Sequence, residues 1–161
     1  MPCGIHCCVY ATPKEEGMSE SMAHILTPEM HTKLVRPLLQ SSVSAGFPSP
    51  AENHIESVLD LNRHLVKHPV ATFYVRVQGD SMIDAGIAPN SILVVDRAIE
   101  AEDGDIVVAR LDNEFCVKRL RIKDGKVWLI AENADYQPIT ITDEMEFEVW
   151  GKVTWSIRSH C

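Results

Sequence analysis

The sequence predicts a mostly β fold: a coiled, antiparallel sheet with short helices and an extended N-terminal arm. Three observations carry this. Apolar residues alternate with polar ones over short runs such as Phe73-Tyr74-Val75-Arg76-Val77-Gln78, the period-2 mark of half-buried strands. Turn signals recur between these runs, above all Asp112-Asn113 and Asp124-Gly125, which suit two-residue hairpins. Many short strands separated by turns belong to antiparallel β architectures rather than α/β ones.

In order along the chain, residues 1–22 are small, polar and aperiodic, and read as disordered. Pro28 and Pro37 interrupt any long helix between residues 23 and 40, leaving a short amphipathic piece around Glu29–Arg36. Residues 41–50 are small, polar and end in prolines, which favours extended, accessible backbone. Such a stretch is either a plain linker or a substrate segment, since Ala45 and Gly46 are small enough to admit a reactive group. Glu52–His68 reads as helical, with Ile55, Val58, Leu59, Leu61 and Leu65 on one side and Asp60 as a cap. Strands are expected at residues 73–78, 91–96, 106–111, 114–122, 126–131, 139–141 and 146–157.

At 161 residues and 45% apolar composition the chain suits one domain with an appendage. The formal charge of −8 opposes stand-alone nucleic-acid binding, which needs clustered cations on phosphates. No apolar run approaches the ~20 residues that cross a bilayer, and the first ten residues lack the pattern of a secretory signal. Five cysteines, Cys3, Cys7, Cys8, Cys116 and Cys161, are unevenly spread and suit a reducing cytoplasm better than a disulfide framework. Cys3, His6, Cys7 and Cys8 match no common zinc spacing, so neither metal nor cofactor is expected. None of the seven histidines has an evident serine or cysteine partner.

Two residues carry the candidate chemistry. Gly79 lets the chain bend sharply after the strand at residues 73–78, presenting Ser81 just past its end. A turn serine commonly bonds only its local backbone, so it needs a partner to signify more. Lys118 supplies one. In a strand it shares a face with Cys116 and Leu120, while Arg119 lies opposite. A lysine between apolar neighbours either lays its stem along apolar surface or loses its proton as burial disfavours the ammonium form. In the second case it can serve a serine as general base without histidine or aspartate.

Gly46-Phe47-Pro48-Ser49-Pro50, Gly79-Asp80-Ser81-Met82-Ile83-Asp84, Asp96, Gly104-Asp105-Ile106-Val107 and Phe115-Cys116-Val117-Lys118 occur in that order. Across about residues 41–157 the chain resembles the UmuD branch of the LexA-type self-cleaving serine peptidases. The resemblance implies a LexA/signal-peptidase-like β fold, with Ser81 as nucleophile and Lys118 as its general base. It implies cleavage of the protein's own Ala45–Gly46 bond, separating an arm, residues 1–45, from a peptidase-like domain, residues 46–161. Many relatives have Cys where Ala45 stands. The backbone amides of Ser81 and Asp80 are the expected oxyanion donors, and Met82 is expected beneath the turn. The implied partners are a second copy of the chain, a RecA filament on single-stranded DNA that promotes cleavage, and a UmuC-type Y-family DNA polymerase that the product joins for error-prone copying past lesions in the SOS response. Neither direct sequence-specific DNA binding nor membrane attachment is implied. The competing readings are a LexA-like repressor, for which residues 1–45 offer only Lys14, Lys33 and Arg36 as strong cations, and a non-catalytic interaction module.

Overall fold

The structure is a computed structural model and describes residues 25–26, 35–39 and 55–160. The expected disordered tail, the Cys3–Cys8 region, the linker at 41–50 and the Ala45–Gly46 bond lie outside the described residues. Among those described, the strands are β1 (Ile25–Leu26), β2 (Val35–Leu39), β3 (Ile55–Asp60), β4 (Thr72–Arg76), β5 (Ile92–Asp96), β6 (Ile106–Leu111), β7 (Glu114–Lys123), β8 (Lys126–Ile130), β9 (Ile139–Thr140) and β10 (Phe147–Ile157). One short helix, α1 (Leu61–Leu65), and a 3-10 turn at Ile83–Ala85 complete them.

Eight strands form one sheet in the order β1-β4-β5-β10-β6-β7-β8-β9, and β2 pairs with β3 in a separate ribbon. All pairings are antiparallel, as the alternating pattern predicts. The two short hairpins form where the turn residues place them. Asp112 and Asn113 have φ of 47° and 69°, and Asp124 and Gly125 have 51° and 72°. Both pairs therefore adopt the positive-φ conformation of the hairpin turns whose twist matches that of the flanking strands.

The one or two short helices expected within Glu52–His68 are corrected in part. Ile55–Asp60 is strand, and only Leu61–Leu65 is helical. Ile55, Val58 and Leu59 fit helical spacing, but the segment runs antiparallel to Val35–Leu39. That non-local pairing outweighs a weak local pattern. The amphipathic helix expected at Glu29–Arg36 fails at its described end, because Val35 and Arg36 belong to β2. Asp60 does cap α1, accepting from the Asn62 amide at 3.1 Å.

β10 organises the sheet's curvature. Its first half pairs with β6 and its second with β5. A register shift falls in each half, between Val149 and Gly151 and between Val153 and Trp155. Such bulges bend a strand and raise its twist. Trp150, at the first bulge, stacks against Phe73 and Phe115, with ring centroids 5.1 and 5.5 Å away. The resulting coil buries apolar residues on both faces of β6. Val108 joins Val75, Val77, Met82, Leu93 and Val95 on one side. Val107 and Ala109 join Leu120 and Leu129 on the other.

Gly151 sits where β10 runs tightly against β5. A Cβ built there would lie 2.7 Å from Val95 Cγ1 and 3.3 Å from the Asp96 carbonyl. Val95 is fully buried and has no free direction to move. Gly151→Ala should therefore destabilise the fold by about 1–3 kcal/mol, the usual cost of overpacking. Denaturant unfolding checks this, and an unchanged midpoint contradicts it.

Candidate active site

β4 and β7 are separated in the sheet by β5, β10 and β6. The coil nevertheless brings the segment after β4 against the middle of β7. Residues 75–78, Ser81 and Met82 line one cavity together with Val108 and residues 115–118, with a volume of about 210 Å³. Its floor is apolar, made by Val75, Val77, Met82, Val108 and Phe115.

The serine turn is built locally. The Val77 amide donates to the Ser91 carbonyl at 2.9 Å, and the Asn90 amide to the Val77 carbonyl at 3.0 Å, so β4 stays tied to its neighbour past its last ladder residue. Gly79 then adopts φ 77°, a conformation costly for any residue with a side chain. The Ile83 amide closes the turn on the Asp80 carbonyl at 3.0 Å. Met82 is 2% exposed and anchors the turn in the core, where the sequence places it. Ser81 is left half-buried at the cavity wall.

Lys118 reaches the serine from β7. Its Nζ donates to Ser81 Oγ at 2.7 Å and to the Val117 carbonyl at 3.1 Å. On its own face, Leu120 is buried and Cys116 half-buried. Burial pushes the Lys118 amine below its ordinary range, because a charged ammonium loses hydration there. Charge on Cys116 would pull it back up. Burial, however, pushes the Cys116 thiol up in turn, which favours its neutral form. Cys116 lines the same cavity, yet a thiol held protonated is a poor nucleophile. A neutral amine at this distance can take the serine proton, which is what a hydroxyl requires before it attacks a carbonyl.

Sequence reasoning missed a third contributor, the loop between β8 and β9. The Tyr136 hydroxyl donates to Asp80 Oδ1 at 2.6 Å, and Asn133 Nδ2 donates to the Asp80 carbonyl at 3.2 Å. The Asp84 amide donates to the Glu132 carbonyl at 2.9 Å. Glu132 also pairs through its carboxylate with Arg119, the neighbour of Lys118. One loop thus holds both the serine turn and the lysine strand. An aromatic residue in a polar, proline-containing loop was the available signal, but nothing local pointed to Asp80. Asp96, part of the familiar motif set, lies away from this cavity. It is buried and pairs with His68 at 2.7 Å while accepting from the Ala98 amide at 2.8 Å.

Among the described residues no cluster of His, Cys, Asp or Glu has the arrangement of a metal site, and no helix is long and apolar enough to cross a membrane.

Comparison with known proteins adds the following. A family model described as Peptidase S24-like matches residues 37–154. Protein MucA of Salmonella typhimurium is 42% identical over 125 residues, covering 77% of this chain and 85% of that protein. Protein SamA of Salmonella typhimurium is 40% identical over 134 residues, covering 83% and 93%. The LexA repressor of Ectopseudomonas mendocina is 44% identical over 104 residues, covering 65% of this chain and 50% of the repressor.

The lowered pKa of Lys118 has a consequence for stability. Unfolded, the amine titrates at its ordinary value; folded, it gives up its proton at lower pH. Between those two values the unfolded chain binds more protons, so stability rises with pH across that window. Below it the buried amine costs stability in full. Lys118→Met should accordingly unfold at higher temperature than wild type at neutral pH, with the gap narrowing as pH climbs toward the ordinary lysine range. A gap that is constant with pH, or that widens, contradicts the assignment.

Proposed function

Because the chain belongs to the Peptidase S24-like family, with the UmuD-like and LexA-type proteins, we propose that it is a serine endopeptidase that cuts its own Ala45–Gly46 bond by a Ser81–Lys118 dyad. The observation that carries this is the 2.7 Å hydrogen bond from Lys118 Nζ to Ser81 Oγ at the wall of a partly apolar cavity.

The reaction proceeds in two halves. Neutral Lys118 takes the proton from Ser81 Oγ as that oxygen attacks the Ala45 carbonyl carbon. The carbonyl oxygen becomes an oxyanion, stabilised by the backbone amides of Ser81 and Asp80 as its charge develops. Collapse breaks the Ala45–Gly46 C–N bond, and the Lys118 ammonium protonates the leaving Gly46 amine. Residues 1–45 remain as an ester on Ser81. Water, deprotonated by Lys118, then hydrolyses the ester and restores both side chains. An arm that belongs to the same chain presents its peptide bond at high effective concentration, so binding contributes little to the barrier.

β1 and β2 lie on the N-terminal side of the proposed cut, while their partners β4 and β3 lie beyond it. Cleavage therefore removes the covalent link that keeps the outer strands on the domain. In the SOS response the expected trigger is a RecA filament on single-stranded DNA. The expected role of residues 46–161 is accessory subunit of a UmuC-type translesion DNA polymerase, as a homodimer in the cytoplasm. The resemblance to UmuD supports these assignments.

The test is cleavage of the purified chain at rising alkaline pH. A fragment beginning at Gly46 should accumulate, faster as Lys118 loses its proton, and Ser81→Ala and Lys118→Ala should each stay whole. Gly46→Glu should block processing by overfilling the space beside Ser81. Cleavage at another bond, or unimpaired cleavage in either dyad variant, refutes the proposal.

A further inference from the structure

Asp80 immediately precedes the proposed nucleophile, and its side chain accepts from Tyr136 of the β8–β9 loop. The same tyrosine ring lies over the Lys118 amine, with its centroid 6.0 Å from Nζ. One side chain therefore meets the residue beside the proposed nucleophile with its hydroxyl and the lysine amine with its ring. Tyr136 is 44% exposed, so the fold does not depend on it as it depends on Met82. An exposed aromatic held this way fits a task at the site better than a role in the core.

We infer that Tyr136 is a positioning residue for the Ser81–Lys118 pair, its hydroxyl fixing the serine turn through Asp80 and its ring covering the amine. This rests on the peptidase reading above. The two contacts act on different quantities. The hydroxyl restrains the turn that carries Ser81, together with the Asn133 amide on the Asp80 carbonyl. Losing it lets Ser81 drift from the reactive geometry, which slows the reaction without changing how the lysine titrates.

The ring acts on Lys118 itself. The charged and titratable groups near this amine are Cys116 on its own strand, Arg76 on the cavity wall at the end of β4 and Tyr136 on the loop, with Asp80 reached through the Tyr136 hydroxyl. A ring over an ammonium attracts it, but 6.0 Å is the outer reach of that attraction. Exclusion of water is the larger effect, in keeping with burial as the leading cause of the lowered lysine pKa. Removing the ring admits water and restores the ammonium. The phenol is suited to alkaline conditions as well. Its hydrogen bond to Asp80 is the leading cause that pushes its own pKa up, so the hydroxyl holds its proton more tightly than a free phenol.

The test is the pH–rate profile of self-cleavage in the full-length chain, with Tyr136→Phe and Tyr136→Ala against wild type. Tyr136→Phe keeps the ring and removes one oxygen, so it preserves the fold. It should cleave about three- to tenfold more slowly, on the scale of one lost ordinary hydrogen bond, with the midpoint of the profile unmoved. Tyr136→Ala should be slower still, and its midpoint should move upward by about half a pH unit or more as the amine is rehydrated. Wild-type rates and midpoints in both variants overturn the inference. So does equal slowing of both with no shift in midpoint, which marks a merely structural residue. Wild-type protein that stays whole at every pH, or Ser81→Ala protein that is still cut, removes the peptidase reading and this inference with it. Failure confined to the Tyr136 variants leaves that reading standing.

Discussion

The structure depends on holding a lysine amine against a serine hydroxyl in surroundings that disfavour its charged form. In bulk water the ammonium form prevails by several pH units at neutrality, and it cannot accept a proton. Lys118 therefore has to be drawn into partly apolar surroundings, at a cost in stability, and Ser81 has to meet it there. Met82, Val75, Val77, Val108 and Phe115 provide those surroundings, and the two donors from Lys118, to Ser81 and to the Val117 carbonyl, orient the amine.

No local stretch can create this meeting, because Ser81 follows β4 and Lys118 lies on β7, with three other strands between those two. The coil of the sheet closes the gap. β10 supplies much of that coil through its two bulges, and Gly151 lets it run close to Val95. Trp150 fills the inside of the curve against Phe73 and Phe115. The β8–β9 loop then bridges the two sides. Glu132 reaches Arg119 on β7 and Asp84 beyond the serine, while Asn133 and Tyr136 reach Asp80. Stability and chemistry are thus served by different parts: bulges and aromatic packing bring the strands round, and a polar loop sets the last ångströms.

Much of this was legible in the sequence, for physical reasons. Strands buried on one face alternate, so β4 showed in Phe73, Val75 and Val77. Hairpins with two-residue loops require positive φ, so Asp112-Asn113 and Asp124-Gly125 marked their own turns. Lys118 stood out because it shares a strand face with Leu120 and Cys116. The misreading at Ile55–Asp60 has an equally physical source. Its apolar spacing fits a helix, and only its pairing with Val35–Leu39 makes it a strand. Tyr136 was invisible for a related reason. Its value lies in a contact with Asp80, 56 residues earlier, and loop composition does not encode such a contact.

The most direct measurement is the titration of Lys118 itself, by NMR of its side chain in the full-length Ser81→Ala chain, where self-cleavage is disabled. The account predicts that this lysine titrates clearly below the ordinary lysine value of about 10.4. A Lys118 that titrates at that ordinary value would contradict it, because the amine would then be charged wherever the serine needs a base.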